Sequence, residues 1–205
     1  MKYNSNTLLD SLQADVRQVL LQANRLKQSP FLPLQQQPSP GKWSAAQVLE
    51  HLNFYARHYI TAIEQKLHLN QSGPTADFHP GWLGSYFTKI MKPNEDGRIS
   101  KKMKAPANAT PSEQPDAKKM LDEFISHQHH LLNLLQIAKT ANLGYIRIPT
   151  SINRFIALKL GDTFRFFIAH EQRHFVQINA TLKRLKHASA GATSSFPATS
   201  PNEHE

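Results

Sequence analysis

The chain contains no cysteine. This removes disulfides, thiolate nucleophiles and cysteine-ligated metal centres together, so any metal must sit on nitrogen and oxygen ligands. No stretch approaches the roughly 18 consecutive apolar residues that a membrane span requires. The polar opening MKYNSNTLLDSLQADVRQ has the make-up of neither a signal peptide nor an anchor, and a cytoplasmic protein with no membrane partner is expected. Acidic residues are scarce, leaving a formal net charge of +9, an excess that raises the question of an anionic partner. Basic residues gather only at 98–104 and at 183–186, and the second group stands where cations offset the unpaired carbonyls of a helix end. With no aromatic-interleaved basic stripe and no base-reading motif, nucleic-acid binding is not expected.

What is present is helical periodicity. The chain's 205 residues, 40% of them apolar, fit one domain with a continuous core. Leu8, Leu9, Leu12, Val16, Val19, Leu20, Ala23 and Leu26 recur at three- and four-residue intervals, predicting a first helix over about 5–28. Four prolines between 29 and 42 make that segment a connection. Ser44 with Gln47 forms a capping box, Trp43 can staple onto Val48, and a second helix follows to about Leu69. The long segment 70–114 is rich in Pro, Gly, Asn and Lys, and its apolar island Trp82 to Met91 should form a short helix. A third helix is predicted over about 115–138 and a fourth, the most apolar, from about Gly161 or Asp162. Residues 143–151 supply too little strand for a sheet. The expected architecture is all-α, a four-helix bundle with a long irregular connection between helices two and three. It occupies residues 1–187, with 188–205 a disordered tail by composition.

The fourth helix carries His170-Glu171-Gln172-Arg173-His174, in which two imidazoles four residues apart lie about 40° around the axis and one turn along it, within reach of one ion. Two histidines on a wet helix face would need no ion, but Phe164, Phe167, Ile168, Phe175 and Ile178 surround this pair, and an unpaired buried ring is costly. The HExxH pattern also suggests a zinc peptidase with Glu171 as general base. That reading lacks its third ligand: Gln177 and Ala180 stand where a Gly and a His would be needed, and no acidic residue follows Glu171 before Glu203. The third ligand must then come from upstream. His51 is the first candidate, since it opens the inward stripe of helix two, with His58, His127 and His130 as alternatives.

Three segments carry a family resemblance: KWSAAQVLEHL at 42–52, KMKAP at 102–106 before Pro111, and AHEQRHFVQI at 169–178. Together they resemble the DinB-like (YfiT-like) metal-dependent hydrolase superfamily over roughly residues 8–186. The resemblance implies a four-helix bundle holding one metal through a histidine of helix two and two of the last helix, at His51, His170 and His174. The family includes thiol transferases, isomerases and uncharacterised hydrolases, so membership fixes a site more closely than a substrate.

The expected function is therefore metal-dependent hydrolysis or thiol S-transfer on a small molecule. The cofactor is one divalent ion, zinc or nickel first, manganese or iron otherwise. Glu171 is the candidate base or the partner that orients an imidazole. Tyr55, His58, Trp82 and Phe167 are the candidate pocket residues, and the expected partners are a small-molecule substrate, a thiol cosubstrate and a second copy of the chain. The competing reading is a module that binds metal or ligand without turnover, in a stress response.

Overall fold

The computed structural model describes residues 2–28, 30–94, 97, 99 and 103–193, without the side chains of 191–193. Lys102 of the KMKAP segment and residues 194–205 of the expected tail lie outside the described residues.

Four long helices form the bundle: α1 (Ser5–Lys27), α3 (Ala45–His68), α5 (Ala117–Ile137) and α6 (Leu160–Thr193). Each start is fixed locally. Asn4 accepts the Thr7 N–H, Asp116 accepts the Lys119 N–H, and Ser44 with Gln47 completes the capping box at α3. α1 and α3 each pack against both α5 and α6, which leaves α5 and α6 diagonally opposed across the core. Two shorter α-helices are found among the described residues: α2 (Leu32–Gln35), one turn inside the proline-rich connection, and α4 (Trp82–Met91), the apolar island, which lies along α6.

The sequence reading of 143–151 as loop or a short extended piece is met by a short strand there, and the structure adds three more short strands elsewhere. β1 (Tyr3–Asn4) pairs with β2 (Asp77–Phe78), and β3 (Arg147–Pro149) pairs antiparallel with β4 (Ala157–Lys159). These ladders are too short to be layers of the fold, and they act as clasps. The first holds the 70–81 segment to the start of α1, and the second is a hairpin that feeds directly into α6. A second departure concerns the chain's end. α6 continues through Thr193, so residues 188–193 are helical where a disordered tail was expected; a run of Ala, Ser and Gly still contains enough alanine to extend an established helix.

The core is in two parts. One groups Leu8, Leu9, Leu12 and Val16 with Tyr55, Tyr59, Ile63, Leu131, Phe164, Phe167 and Ile168. The other groups Val19 and Ala23 with Val48, Leu49, Leu52, Leu121, Phe124, Phe175 and Ile178. On α3, α5 and α6 buried polar residues stand at the break: His51 and Asn53 on α3, Gln128 on α5, His170 and Glu171 on α6.

Candidate metal centre

His51 reaches this polar level because its neighbours anchor the chain around it. The Gln47 amide donates to the Ser112 and Glu113 carbonyls at 2.9 and 3.2 Å, and Glu50 accepts the Ser112 N–H at 2.7 Å. These bonds draw the end of the 70–114 segment over the start of α3. The Ala109 carbonyl, in a 3-10 turn at Ala107–Ala109, thereby lies 2.7 Å from His51 Nδ1. A carbonyl can only accept, so Nδ1 carries the proton and Nε2 presents a lone pair. His174 repeats the device within its own helix, with Nδ1 donating to the Gln177 side-chain oxygen at 2.9 Å. His170 lies one turn before it, its Nε2 3.1 Å from His174 Nε2.

The three rings converge, with one ligand atom of each within 4.8 Å of the others. Ring centroids stand 4.7 Å apart for His51 and His174, 5.3 Å for His51 and His170, and 4.5 Å for His170 and His174. This geometry fits a shared ion. Two imidazole nitrogens bound at about 2.0–2.1 Å stand roughly 2.9–3.4 Å apart for angles between octahedral and tetrahedral. The observed 3.1 Å falls inside that interval. The proton states fit as well: burial pulls all three imidazoles below their ordinary pKa, His174 to about 3, so all are neutral at pH 7. Outward-facing Nδ1–H bonds of the kind made by His51 and His174 fix ring orientation at metal sites. His170 Nδ1 is buried without a partner. His51 and His170 are buried, and the cluster opens through the partly exposed His174.

The other sequence-predicted residues divide. Tyr55 belongs to the cluster, its ring edge-on to His51 at 5.0 Å and to His170 at 4.7 Å. Its hydroxyl bonds to no described residue, and burial pushes its pKa up to about 12. His58 turns away to the hairpin, where its Nε2 lies 3.0 Å from the Pro149 carbonyl. Phe167 is fully buried against Tyr59. Trp82 is 82% exposed at the first turn of α4. The reason is the register of that helix. Leu83, Phe87 and Met91 form its inner stripe, and Asp162 holds its N-terminus by accepting the Gly81 N–H at 2.7 Å. Trp82 is left on the outer face, so it does not line the cluster, and neither do His58 and Phe167. His127 and His130 face Asn53 and Glu64 instead.

Glu171 lies at the centre of the bundle, fully buried, with Oε1 accepting from the Gln128 amide at 2.7 Å. It hydrogen-bonds to none of the three histidines. Burial raises its pKa to about 8 although the Gln128 bond lowers it, so without a metal ion the carboxyl is protonated at neutral pH. Glu171 Oε2 and Gln128 Oε1 are both buried without a partner among the described residues.

Sequence reasoning missed Ala109 and Gln128, which carry no motif. It also missed Trp43 as a wall of the site, its ring 5.1 Å from that of His51. Gln177 was noticed only as the residue occupying a peptidase glycine position.

Comparison with known proteins agrees with the family resemblance. The DinB superfamily profile matches residues 8–178, and no curated protein matches the chain. Among solved structures the chain is similar to YfiT from Bacillus subtilis, described as a probable metal-dependent hydrolase with an unusual four-helix bundle topology. That similarity has a TM-score of 0.46 at 12% identity, over 89% of this chain and 86% of that one.

Proposed function

We propose that this chain, which belongs to the DinB superfamily, is a metal-dependent enzyme, a hydrolase or thiol S-transferase acting on a small molecule. One divalent ion, zinc or nickel, would be held by His51, His170 and His174. The observation that carries the reading is the convergence of three neutral imidazoles, two of which have Nδ1–H groups already turned outward to acceptors. Three protein ligands are the number found at catalytic zinc sites, where a structural site uses four. When bound, such an ion supplies Lewis acidity and lowers the pKa of a coordinated water or thiol.

The chain's own residues define the rest. The Glu171 carboxyl is tied to Gln128 and bonds to none of the three histidines, and the cation would favour an anionic substrate group such as a thiolate. Tyr55 stays protonated at every physiological pH and has a free hydroxyl to donate to a polar group at the cluster. Trp43 and Phe166 flank the histidine rings and restrict water. A zinc peptidase is disfavoured, since the third histidine comes from upstream and no described strand exceeds three residues.

The test is metal loading followed by turnover. Wild-type protein dialysed against zinc or nickel should retain one equivalent by elemental analysis, and thiol-dependent loss of an electrophilic substrate, or hydrolysis of an ester or amide, should require it. Stoichiometric metal with ligand affinity and no turnover across such a panel would make the chain a binding module instead.

A further inference from the structure

Away from the histidines, α1 and α6 do not close fully on each other. Beside the end of α4 they leave a groove of about 300 Å³, at the lower end of the range for small-molecule sites. Its α6 side carries Gln172, Val176 and Asn179. At 100° per residue these stand about 120–180° around the helix axis from His170 and His174. The groove therefore opens on another face of α6 from the cluster.

The groove has an apolar floor and a polar rim. Val19 of α1 and Phe175 of α6 are buried beneath it, both within the second part of the core. One end is closed by a bond between the two helices, the Asn179 amide donating to the Gln22 side-chain oxygen at 2.9 Å. At the other end stand two opposite charges, Asp15 on α1 and Lys92 just past α4. Asp15 is half-buried; burial pushes its carboxyl up, while the Lys92 charge and a bond from the Gln172 amide pull it down. The Lys92 ammonium is near enough to act on that carboxyl, yet it makes no bond to any described residue. A carboxylate drawn partly out of water beside an ammonium that it does not touch leaves both groups able to take a further partner.

We propose that this groove binds a small zwitterion of the α-amino-acid class with an aliphatic side chain. Its ammonium would meet Asp15, its carboxylate Lys92, and its side chain the floor of Val19, Phe175 and Val176. The charges favour this class over others: an anion alone is repelled by Asp15, a cation alone by Lys92, and a neutral molecule satisfies neither. The Gln18 and Gln172 amides at the rim supply donors and acceptors to the same two groups. The site shares no residue with the three histidines and stands whether or not they hold a metal.

The experiment uses full-length protein treated with chelator, because amino acids bind divalent ions themselves and would otherwise report on the histidines. L-leucine, leucinamide, which lacks the carboxylate, and isocaproate, which lacks the ammonium, are titrated to about 10 mM and followed by proton–nitrogen NMR correlation spectra. Leucine should shift the amides around Val19 and Val176 and bind at least about tenfold tighter than either analogue, the effect of one charged hydrogen bond. Asp15→Asn should erase the preference over isocaproate, and Lys92→Met the preference over leucinamide. Lys92 is exposed, so its variant keeps the test open should Asp15→Asn disturb the packing. His174→Ala should leave leucine affinity unchanged. No shift at those amides, equal binding of the three compounds, preferences that survive both charge variants, or affinity lost in His174→Ala would each overturn the proposal.

Discussion

Replacing Glu171 with Gln should make the metal-free protein more stable at neutral pH. The buried carboxyl holds its proton up to about pH 8, whereas the unfolded chain releases it near 4.5. Folding therefore binds a proton across that window. The contribution is fully present below pH 4.5 and is lost progressively as pH rises toward 8. At about 1.36 kcal/mol per pH unit, the interval from 4.5 to 7 removes roughly 3 kcal/mol of folding free energy. Glutamine is isosteric, carries no charge and keeps an oxygen to accept the Gln128 bond, so E171Q escapes the loss without opening a cavity. For a chain of this size 3 kcal/mol corresponds to roughly 6–12 °C in Tm. The assay is thermal and urea unfolding followed by circular dichroism, on chelator-treated wild type and E171Q from pH 5 to pH 8. The two should nearly coincide at the acid end, with the difference growing steadily toward pH 8. A variant less stable than the wild type at pH 7, or a difference that ignores pH, would refute the assignment of a neutral carboxyl paired with Gln128. Separate loss of turnover in a metal-loaded, well-folded E171Q would show the carboxylate taking part in the chemistry.

Three further outcomes follow from the same structure. His51→Ala, His170→Ala and His174→Ala should each abolish stoichiometric metal retention in elemental analysis while leaving helical content largely intact, because packing rests on the apolar stripes; wholesale unfolding would mark the ion as structural. Gly84→Ala should lower stability by about 1–3 kcal/mol in urea unfolding, since a Cβ at that position would stand 2.3 Å from Asp162 Cγ, in a side chain already committed to Gly81 and Arg165; an unchanged midpoint would mean that α4 is free to shift. Metal-free protein should lose stability as pH falls below about 6.5 through the three histidines, whose burial lowers their pKa in the folded state, His174 to about 3. A His51→Ala/His170→Ala/His174→Ala triple variant should show a smaller acid loss, and equal acid sensitivity in both proteins would contradict it.

The parts of this molecule that could be read in the sequence are those where periodicity and capping act within one segment. Ser44 and Gln47 announce α3, the spacing of Leu8 to Leu26 announces α1, and His170 with His174 announces a pair that can share an ion. What escaped depends on contacts between segments. Ala109 contributes a backbone carbonyl, which any residue type would supply, and it arrives only because Gln47 and Glu50 bind the segment three residues further on. Gln128 resembles a solvated amide on a helix until its face is known. Trp82 illustrates the opposite error: an aromatic in an apolar island invites burial, yet a helix of ten residues has one inner stripe, and here Leu83, Phe87 and Met91 take it.

The polar level that divides the core has a consequence for how the bundle comes apart. Apolar packing couples residues within each half, but between the halves α3, α5 and α6 continue through a level of buried hydrogen-bonding side chains and imidazoles. Amide exchange should then report two protected blocks separated by a faster plane at the level of Asn53, Gln128 and His170. An event that weakens this plane, such as removal of Gln128, would let one end of the protein loosen while the other stays shut.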